Sequence, residues 1–472
     1  MTQDITWMPA WQIRDLITTG KMTAVDVLEH FIERIGKLES TLHAFDVLDL
    51  EGARKQAKDA DEAVRYGHPL GLLHGIPIGV MDAVKVKGLP NHVWHSQEEQ
   101  HDDLSVERLR NAGAVIVGLT ATYFWDPNER PRNPWDLTKD PGNSSRGSAI
   151  AVSAGMLPLA LAEDGAGSTR LPASWCGVLG LSPGRGLIPY IDYQKPGFAL
   201  TVTNGPIARN ARDAAIMLQA LAGPDGRDFT SIQADPPNYL ERIEEGANGV
   251  KLAWTDDFGW SRSQWVPETP AIVEFARESV FGMAEVGAEV IETREVWEDI
   301  RPAMFQLGVI MKGMGYEPPI DASEISEMKK RIDEVWGLAE DASVPFALPG
   351  GVESVENSFE LASKTREQAW RTLRNVLDEN DALVSITTPL PPQDLYRWGM
   401  SGRDLTMTSY SAHTAMFNFL GFPAYSVPIG LLNGLPVGIQ IASKPGKEDL
   451  LLRLAGAIMD KYPLKERPAV AL

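Results

Sequence analysis

A single cysteine, Cys176, among 472 residues leaves no partner for an intrachain disulfide and excludes a cysteine-cluster metal site. Basic residues are short as well: 44 Lys and Arg stand against 64 Asp and Glu, a net charge of −20. Such an excess repels phosphate backbones, so no nucleic-acid partner is expected. Long apolar runs are absent. The longest small-apolar stretch, from Gly147 to Ala162, is broken by Pro158 and falls short of the roughly 20 residues a membrane span needs. From Met1 to Arg14 no basic region leads into an apolar core, so a cytoplasmic protein is expected. There is no P-loop and no dinucleotide fingerprint. His92 and His95 are spaced as two metal ligands could be, but no third ligand accompanies them, and neither a metal nor an organic cofactor is expected. Gly180–Leu181–Ser182–Pro183–Gly184 has the letters of a nucleophile elbow. Pro183 lacks the backbone N–H that such an elbow uses as an oxyanion donor.

What the chain does have is a globular composition, 43% hydrophobic and 23% charged. Its length allows about three domains at roughly 150 residues each, or one large α/β domain. Apolar residues at three- and four-residue spacing predict helices over Trp11–Ile17, Thr23–Leu38 and Leu50–Tyr66, with Thr23 as an N-cap. Short apolar runs at Ile76–Val80, Ala114–Leu119 and Leu157–Ala162 predict buried strands. Helices are expected at Val106–Ala112 and Ser148–Ala154. This alternation points to an α/β fold with a largely parallel sheet. Tyr123 to Arg146, rich in Pro, Asn and Asp, reads as a long loop of the kind that is often functional. The simplest organisation is a single domain over 1–472. N-terminal helices run to about 70, an α/β core follows at about 71–235, and a variable helical excursion covers about 236–398. A C-terminal core segment from about 399 to 472 completes the sheet with strands at Phe422–Ile429 and Leu435–Ala442.

The chemistry concentrates between Asp140 and Arg170. Two loops of small residues, Gly142–Asn143–Ser144–Ser145–Arg146–Gly147–Ser148 and Asp164–Gly165–Ala166–Gly167–Ser168–Thr169–Arg170, bracket one helix and one strand. A strand that leaves its sheet through small residues exposes consecutive N–H groups, which stabilise negative charge on an acyl oxygen. Two ordinary turns would use the same residue types, and these letters alone do not decide between the two readings.

More of the chain narrows the choice. Gly75–Ile76–Pro77–Ile78–Gly79–Val80, Asn133–Pro134–Trp135–Asp136, both loops, Leu171–Pro172–Ala173, Gly205–Pro206–Ile207–Ala208–Arg209 and Gly434–Leu435–Pro436–Val437–Gly438–Ile439–Gln440 together resemble the amidase signature hydrolases. The resemblance implies a central mixed, twisted β-sheet flanked by α-helices on both faces. It also implies cleavage of a small amide, or an ester or carbamate, by a Ser–cis-Ser–Lys triad, and a core of the kind that can form homodimers. Ser168 takes the place of the nucleophile and Ser144, 24 positions earlier, that of the bridging serine. Gly165, Ala166, Gly167 and Ser168 take the place of the oxyanion hole. The chemistry explains the types: a serine hydroxyl is a weak nucleophile until a base takes its proton, and a desolvated lysine has the lowered pKa such a base needs. Asp164 and Arg170 read as a pair that braces the loop.

One departure stands out. The family motif ends Gly-Val-Lys-Asp, whereas this chain has Gly79–Val80–Met81–Asp82. Met81 has the length to fill the lysine's space and cannot carry its proton. Lys85 and Lys87 would lie roughly 13 to 20 Å away along an extended strand, too far to substitute. Loss of a general base typically costs ~10² to 10⁴ in rate. The chain is therefore expected to be inactive or very slow, either through an engineered replacement that traps ligand, as the retained serines suggest, or as a natural member that binds without catalysis. An esterase with little amidase activity and a glutamine-amidase subunit supplying ammonia to a partner also stay open. Arg146 stands where the family usually has glycine, and reads either as a substrate contact at the entrance or as a solvated surface residue. Tyr123, Trp175, Tyr190 and residues 304–314 are the expected pocket rim, suited to an apolar or aryl acyl group.

Overall fold

The computed structural model describes residues 4–92, 97–122, 129–191, 201–300, 303, 355–395 and 411–471. Its centre is one eleven-stranded sheet in the order β1-β3-β2-β4-β6-β5-β10-β11-β9-β7-β8. The strands are β1 Phe45–Leu48, β2 Pro77–Met81, β3 Val115–Thr120, β4 Leu159–Asp164, β5 Leu179–Ser182, β6 Thr203–Ala208, β7 Lys251–Trp254, β8 Glu289–Glu292, β9 Ala382–Ile386, β10 Ala424–Leu432 and β11 Leu435–Ala442. Helices flank the sheet, as the α/β reading requires. Among the described residues, no helix is long and apolar enough to cross a membrane.

The expectation of a largely parallel sheet holds only toward its ends. β3, β2 and β4 are parallel, as are β9, β7 and β8. From β4 through β6, β5, β10 and β11 to β9 every neighbour is antiparallel. One cause is local. Asn433 and Gly434 both adopt positive φ, 53° and 82°, and an Asn-Gly pair of this kind folds β10 back on β11 as a tight hairpin. The segment 236–398, read as a helical excursion, also delivers β7, β8 and β9 to the sheet. β1 escaped the sequence reading because it is only four half-buried residues long, without a clear alternation.

The first helices follow the predicted pattern closely. Helix α1 spans Ala10–Thr18, α2 Ala24–Leu42 and α3 Leu50–Tyr66. Thr23 caps α2, its hydroxyl accepting the Asp26 N–H at 2.9 Å, and α2 runs one turn past the expected Leu38. Helix α4 is Leu104–Asn111, and α5 is Arg146–Ser153. All of α5 is buried, because its small residues let it lie against the sheet. Ser148 Oγ sits 2.7 Å from Thr120 Oγ1 on β3 and donates to the Leu161 carbonyl on β4 at 3.1 Å. Gly147 donates its N–H to the Ala121 carbonyl at 2.9 Å, and a Cβ there would collide with the Ala44 carbonyl oxygen and the Ala121 nitrogen. Backbone, not a flexible side chain, blocks that space. Gly147→Ala is therefore expected to cost about 3 kcal/mol or more, read as a lowered urea midpoint. A midpoint within error of the wild type would show that α5 does not need this close approach.

Candidate active site

β4 ends at Asp164, and the chain leaves the sheet through Gly165–Thr169 before entering helix α6, Arg170–Cys176. Asp164 and Arg170, both fully buried, pair across this loop with Nε–Oδ2 and Nη2–Oδ1 distances of 3.0 Å. The carboxylate also accepts the Gly167 N–H at 2.6 Å and the Thr169 N–H at 3.1 Å. The guanidinium also donates to the Thr414 carbonyl at 3.1 Å, to Gln440 Oε1 at 2.6 Å and to Asn418 Oδ1. Asn418 Nδ2 donates back to Asp164 Oδ1 at 2.9 Å. Burial pushes the Asp164 carboxyl up. The adjacent guanidinium and these hydrogen bonds outweigh burial and hold it below the usual range. The loop-bracing pair read from the sequence is in place.

This bracing corrects one oxyanion assignment. The Gly167 N–H, expected to face an acyl oxygen, is committed to Asp164. The N–H groups of Gly165, Ala166 and Ser168 make no hydrogen bond among the described residues. Gly167 itself has φ +119°, and a Cβ on it would strike the Thr414 side chain, whose hydroxyl donates to the Ala166 carbonyl at 2.6 Å. Glycine is required there both by conformation and by space.

The second loop lies against the first. Ser145 donates its N–H to the Ser168 carbonyl at 3.1 Å, and Arg146 donates its N–H to the Ser144 carbonyl at 2.8 Å. The Asn143–Ser144 peptide is cis. Ser144 and Ser168 are half-buried. Arg146 is neither solvated nor at an open entrance. It is buried, and its Nε and Nη1 donate to the Gly142 and Thr122 carbonyls at 3.1 and 3.0 Å. It braces the serine loop against the end of β3.

Met81 ends β2 and is buried. Its Sδ accepts from Ser145 Oγ at 3.1 Å and lies 3.3 Å from the Glu163 nitrogen. The side chain at position 81 thus reaches the serine loop, but its direct partner is Ser145, which the sequence reading did not single out. The chain turns after Met81. Lys87 is exposed, its N–H bound by Asp102 at 2.8 Å. Asp82, also not singled out, is buried with Oδ2 accepting the Thr122 N–H at 2.9 Å and no hydrogen-bond partner for Oδ1. Desolvation, with the charge of Asp46 adding, pushes its carboxyl up to about 7. Asp46 in turn sits 2.7 Å from His92 Nδ1, while His95 lies outside the described residues. Among the described residues no cluster could hold a metal ion.

The expected rim divides. Tyr123 and residues 304–314 lie outside the described residues. Trp175 is 1% exposed, its indole N–H held by the Leu390 carbonyl at 2.9 Å and its ring packed with Leu171 and Leu390, so it is interior packing and not an open wall. Tyr190 donates its hydroxyl to Glu163 Oε2 at 3.2 Å and its N–H to Asp228 at 2.9 Å. Ser182 of the apparent elbow is buried in β5, in register with Ala424.

Comparison with known proteins speaks to the family and the fold. A family model described as amidase matches residues 26–452. A glutamyl-tRNA(Gln) amidotransferase subunit of Geobacillus thermodenitrificans is 31% identical, over 94% of this chain and 95% of that protein. An acylamidase of Rhodococcus erythropolis is 28% identical over 96% and 95%. In structure, a bacterial aryl acylamidase of the amidase signature family superposes with a TM-score of 0.81 at 22% identity, covering 98% of both chains. A peptide amidase from Stenotrophomonas maltophilia gives 0.80 at 23%, covering 99% of both. At these identities the structures speak for the fold alone.

Two buried carboxyls should respond to pH in opposite senses. Asp164 is depressed in the fold, so its contribution is present above the unfolded value near ~4 and fades as pH falls through the folded value. Asp164→Asn should cost ~3–5 kcal/mol at pH 7 by stranding Arg170, with the gap narrowing only below pH ~4. A gap that stays constant down to pH ~2 would contradict it. Asp82 is raised to about 7, so its ionisation weakens the fold as pH rises between the two values. Asp82→Asn should raise the melting temperature at pH ~8 and leave it unchanged at pH ~4. Equal effects at both would show that Asp82 does not titrate in this range.

Proposed function

Since the chain belongs to the amidase family of hydrolases, we propose that its two serine loops hold a small amide and that Met81 makes cleavage of that amide very slow. The observation that carries this is the thioether of Met81 lying 3.1 Å from Ser145 Oγ, at the position where the family motif has lysine. In the proposed reaction Ser168 Oγ attacks the amide carbonyl, and Ser144 relays the proton. The N–H groups of Gly165, Ala166 and Ser168 stabilise the charge on the carbonyl oxygen. The leaving amine must regain a proton before the acyl-enzyme is hydrolysed. A thioether is only a weak hydrogen-bond acceptor and holds no proton at neutral pH. It can fill the lysine's space and can perform neither half of that transfer. Esters, with better leaving groups, would be less penalised than amides.

In a second reading the chain releases ammonia from glutamine for a partner enzyme. The 31% identity to an amidotransferase subunit, over 94% of this chain, favours it. It needs the same base, and would appear as glutaminase activity only in the presence of a second protein.

Met81→Lys should raise hydrolysis of a panel of aryl amides, esters and carbamates by ~10²–10⁴, and Ser168→Ala in that background should remove the gain. If Met81→Lys stays inert while ligands still bind, the hydrolase reading fails and the chain is a binder.

A further inference from the structure

Beyond α6 the chain forms helices α7, Ala211–Leu221, α8, Thr269–Gly282, α9, Val355–Glu379, and α10, Ala415–Leu420. Thr414 stands at the N-cap of α10, where a threonine ordinarily turns its hydroxyl oxygen to an N–H of its own helix. Here it makes no such bond. Its hydroxyl instead donates to the Ala166 carbonyl at 2.6 Å, 248 positions away in the chain. The hydroxyl thus serves the Gly165–Thr169 loop and not its own helix.

Thr414 is itself held in place. Its carbonyl accepts from Arg170 Nη1 at 3.1 Å, and the carbonyl of His413 before it accepts from Gln440 Nε2 at 2.8 Å. The His413 ring lies between Ser261 Oγ at 2.6 Å and the Ile386 carbonyl at 3.1 Å. Thr414 is fully buried, so it does not meet a ligand directly.

The effect on the loop is an alternation. The Ala166–Gly167 peptide is bound at both ends, its C=O by Thr414 and its N–H by Asp164 Oδ1 at 2.6 Å. So is the Ser168–Thr169 peptide, its C=O by the Ser145 N–H and its N–H by Asp164 Oδ2, both at 3.1 Å. A peptide is planar, so bonds at opposite ends fix its orientation. The N–H groups of Ala166 and Ser168 belong to the neighbouring peptides and make no hydrogen bond among the described residues. Of the four bonds that clamp the loop, only the one from Thr414 is supplied by the C-terminal segment.

We propose that Thr414 is a positioning residue for an oxyanion site: its hydroxyl holds the Ala166–Gly167 peptide so that the Ala166 and Ser168 N–H groups meet an acyl oxygen as negative charge develops on it. Its role in turnover rests on the hydrolase reading; the capacity of the loop to hold a tetrahedral anion does not.

The test sets a tetrahedral anion against a flat, neutral ligand. Phenylboronic acid adds to the Ser168 hydroxyl: an Oγ–B bond forms, the hydroxyl proton leaves to water, and boron becomes the centre of a tetrahedral anion. Benzamide is the uncharged control. At equilibrium the adduct needs no base, so calorimetric titration uses the whole chain with Met81 in place. Thr414→Val, which keeps the shape and removes the hydroxyl, should weaken phenylboronic acid about tenfold and benzamide by less than about twofold. Thr414→Ser should restore most of the boronate affinity. Equal weakening of both ligands, a boronate affinity unmoved by Thr414→Val, a loss that Thr414→Ser does not restore, or no boronate binding to the wild-type chain would each overturn the proposal. Turnover separates it from the hydrolase reading. In the Met81→Lys background, Thr414→Val should lower kcat for 4-nitroacetanilide about tenfold with KM within about twofold. An active Met81→Lys chain indifferent to Thr414→Val would remove the positioning role alone. Boronate binding that depends on Thr414, with Met81→Lys inert, would remove the hydrolase reading alone.

Discussion

The buried pair between Asp164 and Arg170 ties together β4, α6, α10 and β11. It joins the end of β4 to the start of α6, holds two N–H groups of the Gly165–Thr169 loop, and reaches α10 through Asn418 and β11 through Gln440. A buried ion pair is not by itself a source of stability, because removing two charges from water costs as much as their attraction returns. Here nearly every polar position on both groups is satisfied by a partner from a different element. The result is a specified geometry: the loop has one way to lie. That geometry leaves the N–H groups of Gly165, Ala166 and Ser168 without a hydrogen bond among the described residues.

Beside this loop stands Met81, at the position where the family resemblance places a lysine. Met81 fills the end of β2 and touches the serine loop through Ser145, whose N–H also bonds the Ser168 carbonyl. The geometry of the two loops is carried by backbone and by the Asp164–Arg170 network. Arg146 contributes to the same rigidity. Where glycine would leave the serine loop free, its side chain ties the Gly142 and Thr122 carbonyls together.

How far the sequence discloses this differs from element to element. The helices α2 and α3 and the strand β11 are legible because their apolar patterns are strong, and Thr23 marks the start of α2. Asp164 and Arg170 are legible as a pair because opposite charges bracket a run of small residues. β1 is too short to signal itself, and its existence depends on β3 being there to pair with. The strand directions in the middle of the sheet depend on the Asn433–Gly434 turn and on pairings distant in sequence. The role of Arg146 could not be read locally, since its partners are carbonyls whose position only the fold decides. The same holds for Gly167, whose N–H is claimed by the side chain three residues before it. An Asp followed closely by two glycines is a recognisable signal of such a turn. Asp82 and Ser145 gave no signal beyond their adjacency to residues that did.

The sheet order has a consequence for how the molecule comes into being. Strands β5 and β10 are neighbours although 242 positions separate their paired residues Ser182 and Ala424. The partners of Arg170 on Asn418 and Gln440 lie 248 and 270 positions downstream. During synthesis, a chain that has already emerged through Ser168 has both serines and no means of setting the loop that carries them. Until the segment from Thr414 to Gln440 arrives, Arg170 is a cation without most of its donors' acceptors, and the centre of the sheet has an open edge. Contacts of such separation make folding slow and leave that edge exposed meanwhile. The loop that carries Ser168 is thus among the last parts of the molecule to be assembled.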